Sequence, residues 1–255
     1  MKTLALLDAD IIAYQCAAAN ASAGGDLACL HHHLQATTEE WTKASGAEDY
    51  RLYATFGPTF RHHFYPPYKQ NRVGKPKPRG LKQAREWLKA HPKCVWEEGY
   101  EADDLIATAA TCPDCKKQKV IVSTDKDFRQ VWGVPIYNPT KDETVEVTEE
   151  EANLFRLEQW LCGDSVDGYG GIPRYGPKTF AKKIKENPPE DWADMDLFAR
   201  AAYANYEASA DHAVDYEYVT QMLVCATILS HQIPKGHQTF VRGIVADMKL
   251  VGTSP

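Results

Sequence analysis

Residues 118–128 read Gln-Lys-Val-Ile-Val-Ser-Thr-Asp-Lys-Asp-Phe. Three β-branched residues between polar flanks predict a short buried strand, Lys119–Ser123, with Asp125 and Asp127 at its carboxyl end. The same arrangement recurs along the chain. Thr3–Leu7 reads as a buried strand ending at Asp8, with Asp10 two residues on. Arg51–Phe56 reads as another, Cys94–Trp96 as a short one ahead of Glu101, Asp103 and Asp104, and Val134–Tyr137 as a further short one. Apolar spacing of 3.6 predicts helices at Gly80–Ala90, Ala102–Thr111 and Glu149–Leu161. Strands alternating with helices imply an α/β fold with a mainly parallel central sheet flanked by helices. We assign residues 1–162 to that core. Residues 163–255 form a second, helical part around a glycine-rich turn, with Tyr218–Ser230 its clearest helix.

Composition narrows the class. In 255 residues the apolar share is 44% and the charged share 25%, ordinary values for a globular protein with a sizeable core. No apolar run approaches the length of a membrane span. The N-terminal run Met1–Ile12 is short and carries Asp8 and Asp10, which does not fit a secretory signal. The seven cysteines are odd in number and irregular in spacing, so reduced thiols in a cytoplasm are expected rather than a disulfide framework. Cys112-Pro-Asp-Cys115 lacks the second ligand pair of a zinc site and reads as a polar turn. Net charge is −6, yet residues 69–93 hold nine basic side chains and one acid, +8, leaving −14 for the remainder. A basic strip beside an acidic site suits nucleic-acid phosphates.

Carboxylates stand at three strand ends: Asp8 with Asp10, Glu101 with Asp103 and Asp104, and Asp125 with Asp127. A fourth group, Asp164 and Asp167, lies in the glycine-rich turn. Open parallel sheets bind ligands beyond the carboxyl ends of their strands, so these acids should converge. Crowded carboxylates repel unless cations neutralise them. Hard oxygen ligands select Mg²⁺ or Mn²⁺, and two such ions about 4 Å apart can activate water and stabilise a leaving oxygen in phosphodiester cleavage. Helix capping and turn formation are the competing use of each single aspartate.

The turn Gly171-Ile172-Pro173-Arg174-Tyr175-Gly176-Pro177-Lys178-Thr179 is of the helix–hairpin–helix type, with backbone amides at the next helix start available to a phosphate. Taken in order, LLDAD (6–10), YKQNR (68–72), EADD (101–104), STDKDF (123–128) and GDSVDGYGGIPRYGPKT (163–179) resemble the motifs of the 5′-nuclease superfamily. That superfamily comprises flap endonucleases, the 5′-nuclease domain of bacterial DNA polymerase I and phage 5′→3′ exonucleases, and the sequence is most similar to the short phage enzymes.

The resemblance implies a metal-dependent 5′→3′ exonuclease or flap endonuclease, hydrolysing DNA near 5′ ends with two Mg²⁺ or Mn²⁺ ions. Asp8, Glu101 and Asp103 resemble ligands of the first ion, with Asp104 acting through water. Asp125 would lie between the ions, and Asp127, Asp164 and Asp167 resemble ligands of the second. Lys69 and Arg72 would approach the scissile phosphate. Tyr68, Lys75, Lys77, Arg79, Gly171, Gly176, Lys178 and Thr179 would contact DNA, with a K⁺ ion at the turn. Residues 69–96 occupy the place of an arch or clamp. The implied partners are duplex DNA with nicks, 5′ ends or 5′ flaps, and RNA–DNA hybrid. The implied setting is a monomer away from membranes, in a bacterial host cytoplasm if phage-encoded. Two departures stand out: no acid lies between Tyr53 and Arg61, where relatives place one, and the arch segment is short. The alternatives are a non-catalytic DNA-end binding protein and a PIN-like ribonuclease; the latter usually lacks the glycine turn.

Overall fold

The computed structural model describes residues 2–115, 117–190, 192–209 and 216–233. The chain divides into two compact units. The first comprises residues 1–59, 74–147 and 228–232. It holds a six-stranded sheet of order β3-β2-β1-β4-β5-β6, made of β1 (Thr3–Asp8), β2 (Asp49–Tyr53), β3 (Cys94–Val95), β4 (Gln118–Val122), β5 (Ile136–Asn138) and β6 (Glu143–Val145). All neighbours run parallel except β6, which returns antiparallel on β5. The carboxyl ends of β1, β2, β3, β4 and β5 therefore share one edge. Leu7 pairs with both Leu52 and Val122, which puts Asp8 level with Tyr53 on one side and next to Ser123 on the other.

Three helices cover one sheet face: α1 (Ala9–Ser22), α2 (Leu27–Ala44) and, after the short α3 described below, α4 (Leu81–Ala90). Ala5, Leu7, Leu52, Val120 and Val122 meet Ile12, Ala17, Leu30, Leu34, Ala84 and Leu88 there, all buried. The alternate strand residues Leu4, Leu6 and Ile121 are buried as well and face the other way. The next helix, α5 (Ala102–Thr111), packs against β1, β2 and β4. No helix of the described residues is long and apolar enough to cross a membrane.

The second unit comprises residues 60–73, 148–227 and 233–255. Its elements are α3 (Phe60–Phe64), a 3₁₀ turn (Gln70–Arg72), α6 (Glu149–Cys162), α7 (Pro177–Glu186), α8 (Trp192–Ser209) and α9 (Tyr216–Ala226). Thr148 and Glu151 close a reciprocal capping box on α6. Trp160 centres the core: its indole N–H donates to Val219 O at 3.0 Å, and Tyr203 O–H donates to Trp160 O at 2.8 Å.

Several expectations change. The boundary at 162 is replaced, because α6 buries Leu157, Trp160 and Leu161 among α7, α8 and α9 residues. The arch segment 69–96 does not form one element. Residues 69–73 belong to the second unit, α4 packs on α1 and α2, and the extended exposed stretch is confined to residues 73–79. The helix expected to run to Ser230 ends at Ala226; Ile228 N then donates to Gln130 Oε1 and Leu229 N to Asp104 Oδ1. The helical continuation expected towards residue 255 lies, beyond 233, outside the described residues.

Candidate active site

In the first unit the carboxylates gather at the shared strand edge. Asp8 ends β1 and is 3% exposed. One oxygen caps α1 through Ile11 N at 3.4 Å, and the other accepts the Ser123 hydroxyl at 2.9 Å. Ser123 Oγ in turn accepts Asp125 N at 3.0 Å. One hydroxyl thus ties the ends of β1 and β4, the two strands between which the sheet order reverses. Asp125 caps a 3₁₀ turn, Lys126–Gln130, by accepting Asp127 N at 2.9 Å. Burial raises the Asp8 pKa to about 7, and the charges of Asp10 and Asp125 push the same way.

Glu101 caps α5 in a capping box with Asp104, and Asp103 sits in the first turn. Asp104 is 1% exposed; its oxygens accept Glu101 N at 3.2 Å and Leu229 N at 2.9 Å. These two contacts give Asp104 a backbone-holding role. Asp10 turns towards the end of β2, the place where an acid was missed. It accepts Thr55 N at 2.9 Å and pairs with Arg85 Nη1 at 2.9 Å. Burial raises its pKa while Arg85 pulls it down. Arg85 also donates to Thr55 O, and Thr55 Oγ1 accepts Ala102 N at 2.9 Å, fixing the start of α5 beside β2.

In the second unit YKQNR is bound to the GDSVDG loop. Lys69 adopts a left-handed backbone, φ 55°, and its N–H donates to Asp167 O at 2.7 Å. The Asp167 carboxylate receives Tyr68 O–H at 2.9 Å, Lys69 Nζ at 3.5 Å and Arg72 Nη2 at 2.5 Å. Asn71 holds Ser165 O and Val166 O. Asp164 is buried and turns the loop by accepting Val166 N at 2.6 Å. Gly176 caps α7, with Pro177 at its first position and Lys178 and Thr179 exposed beside it. Lys75, Lys77 and Arg79 are exposed on the extended stretch of the first unit.

The site residues thus fall into two sets, one in each unit. Among the described residues no group of three or more His, Cys, Asp and Glu side chains stands arranged to hold a metal ion. Asp8 turns one oxygen to Ser123, and Asp167 turns its carboxylate to Lys69 and Arg72. Sequence reasoning missed Ser123, Thr55, Asn71 and Arg85. Ser123 and Asn71 lay inside recognised motifs and Arg85 inside the basic strip 69–93; Thr55 carried no pattern.

Residues 3–155 match the family model described as 5′-3′ exonuclease, N-terminal resolvase-like domain. The chain belongs to the 5′-3′ exonuclease family. DNA polymerase I of Rhizobium leguminosarum is 35% identical over 164 residues, 56% of this chain and 15% of that one. The exodeoxyribonuclease of Enterobacteria phage T3 is 34% identical over 115 residues, 44% and 38% of the two chains. Flap endonuclease Xni of Shewanella loihica is 32% identical over 143 residues, 50% and 54%. The chain thus spans from about a seventh to about half the length of these curated relatives. Two solved structures show the same fold. Phage T5 5′-exonuclease with zinc bound has TM-score 0.58 at 16% identity, covering 96% of this chain and 99% of its own. The catalytic core of Rad2 with DNA has TM-score 0.50 at 17% identity, covering 91% and 81%. The exonuclease-family match takes in the strand-edge acids and YKQNR, and stops before Asp164, Asp167 and the glycine turn.

Proposed function

We propose that this exonuclease-family chain hydrolyses DNA phosphodiester bonds near 5′ ends, as a 5′→3′ exonuclease and flap endonuclease, with divalent cations at the strand-edge acids. The observation that carries the reading is Asp8 and Asp125 joined through Ser123 at the sheet's switch point, inside the family-matched region. The donor set fits hard cations. It is all oxygen, and burial with neighbouring acids raises the Asp8 pKa to about 7, so its ionised form is disfavoured unless a cation offsets the charge. Asp8, Glu101, Asp103, Asp125 and Asp127 are the proposed ligands from the first unit, and Asp164 and Asp167 those from the second. Bound Mg²⁺ would lower the pKa of water and stabilise the leaving oxygen.

The chain's own residues prepare the rest. Asp167 aligns Lys69 and Arg72, whose charges offset the charge developing on the phosphate. The amides at the start of α7, with Lys178 and Thr179, hold duplex backbone without reading sequence, and a K⁺ ion at the turn belongs to the same proposal. Nicked and flapped duplexes and RNA–DNA hybrid are the proposed substrates. Family membership displaces the PIN-like ribonuclease alternative.

The absent acid beyond β2, with Asp10 committed to Arg85 and Thr55, favours one second reading, a DNA-end binding protein without catalysis. Asp125→Ala decides between them. Cleavage lost with DNA binding kept supports the nuclease. Wild-type protein that binds nicks and cleaves nothing in Mg²⁺ or Mn²⁺ supports the second reading.

A further inference from the structure

Residues Ile228–Gln232 form a short strap that belongs to the first unit. Ile228 N donates to Gln130 Oε1 at 3.1 Å, and the next amide, Leu229 N, donates to Asp104 Oδ1 at 2.9 Å. Gln130 is 2% exposed and ends the 3₁₀ turn Lys126–Gln130, which Asp125 caps. Side chains three residues apart on a 3₁₀ turn eclipse, so Gln130 stands in line with Asp127. Asp104 holds Glu101 through the capping box at the start of α5. Further bonds tie the strap down: Thr108 Oγ1 donates to Leu229 O at 3.2 Å, His231 N to Thr111 Oγ1 at 2.9 Å and Trp132 N to Gln232 Oε1 at 3.1 Å.

We propose that this strap sets the spacing between two acid-bearing elements, the start of α5 and the turn after β4, and that Gln130 is a positioning residue for divalent-cation binding at their carboxylates. Adjacent amides lie one peptide unit apart, about 3.8 Å between Cα atoms. The turn and the helix start therefore cannot separate without breaking the bond to Gln130 or the bond to Asp104. A carboxylate site binds a cation well when the groups behind it hold its oxygens at the right separation in advance. Ser123 ties Asp8 to Asp125. The strap does the same for the elements that carry Glu101 and Asp127. The competing use of these bonds is stability alone, which would leave cation affinity as it is. The proposal rests on the cation reading of the strand-edge acids and adds which residues fix their spacing.

The test is Mn²⁺ binding to the DNA-free protein, read from the free-ion electron spin resonance signal well below each variant's melting temperature. Gln130→Met keeps the length of the side chain and removes the acceptor. The proposal expects it to weaken Mn²⁺ affinity about tenfold. In cleavage assays the Mg²⁺ concentration for half-maximal rate should rise by a similar factor, with the rate at saturating Mg²⁺ little changed. Gln232→Met releases the far end of the strap from Trp132 and should lower the melting temperature with Mn²⁺ affinity unchanged. Thr108→Val is a milder release, for use if Gln130→Met does not fold. It should weaken Mn²⁺ affinity in the same direction, and Thr108→Ser should restore it. Mn²⁺ affinity unchanged in both Gln130→Met and Thr108→Val overturns the proposal, as does an equal loss in Gln232→Met. Wild type that binds Mn²⁺ and cleaves no DNA defeats the nuclease reading, while the variant affinities still decide this one. Wild type that binds no Mn²⁺ defeats both.

Discussion

Ser123 donates its hydroxyl to Asp8 and accepts the Asp125 amide, so one small side chain spaces two strand-end acids. The motif STDKDF was legible; the role of its first residue was not, because a serine after a strand has many uses. Asp8 carries a pH prediction. Its folded pKa is raised to about 7, against about 3.9 in the unfolded chain, so between those values the folded form retains a proton that the unfolded form has lost. The contribution of Asp8 to the stability of the metal-free protein should therefore fall as pH rises from about 4 to 7. Asp8→Asn should flatten that fall and be more stable than wild type at pH 8 in EDTA, by roughly 2–4 kcal/mol, while losing Mg²⁺-dependent cleavage. Thermal melts at pH 5 and pH 8 check this; equal pH slopes for the two proteins would refute it. Asp167 carries a second prediction. It holds Lys69 and Arg72 together, so Asp167→Asn and Arg72→Ala should each lower turnover, and their double variant should lose much less than the product of the two. Multiplicative losses would mean that the pairing has no part in catalysis.

At the scale of elements, the loop between α6 and α7 depends on two glycines back to back. Gly163 has φ 71° and Gly171 φ 58°. A Cβ on Gly163 would stand 2.6 Å from Gly171 N, and one on Gly171 2.6 Å from the Cys162 carbonyl carbon. Gly163→Ala should therefore destabilise by about 3 kcal/mol or more, from backbone strain plus backbone collision, and urea denaturation measures it. A loss below about 1 kcal/mol would show that the loop relaxes freely. The glycine cluster itself was plain in the sequence, as were β1, β4, α5 and α6, whose apolar residues follow one period. The sequence reading left α1 and α2 unassigned. Alanines fill several buried places on α1, and α2 carries His31, His32 and His33 and buries Thr38 and Thr42, so neither shows a clean apolar stripe. The edge strand β6, residues Glu143–Val145, is exposed throughout and so carries no apolar alternation. The basic run 69–93 read as one segment by charge, yet it divides between the two units because charge does not register that Leu81, Ala84 and Leu88 need a core.

Across the whole molecule, net charge −6 conceals a +8 segment at residues 69–93, yet its cations meet acids of the site: Arg85 pairs with Asp10, and Lys69 and Arg72 pair with Asp167. Acids at the ends of parallel strands gather by topology alone, which is why that half of the site was legible from strand order and spacing. The other half depended on long-range partners, such as Arg85 with Asp10, that no local pattern encodes. The central claim is that these acids serve metal-dependent cleavage from a 5′ end. It is tested most directly with a nicked duplex labelled at the 5′ end of one strand, incubated with wild-type protein in Mg²⁺ and in EDTA. The account predicts early release of labelled mononucleotide or short oligonucleotide in Mg²⁺ and none in EDTA. Intact DNA in Mg²⁺, or equal cleavage in EDTA, would contradict it.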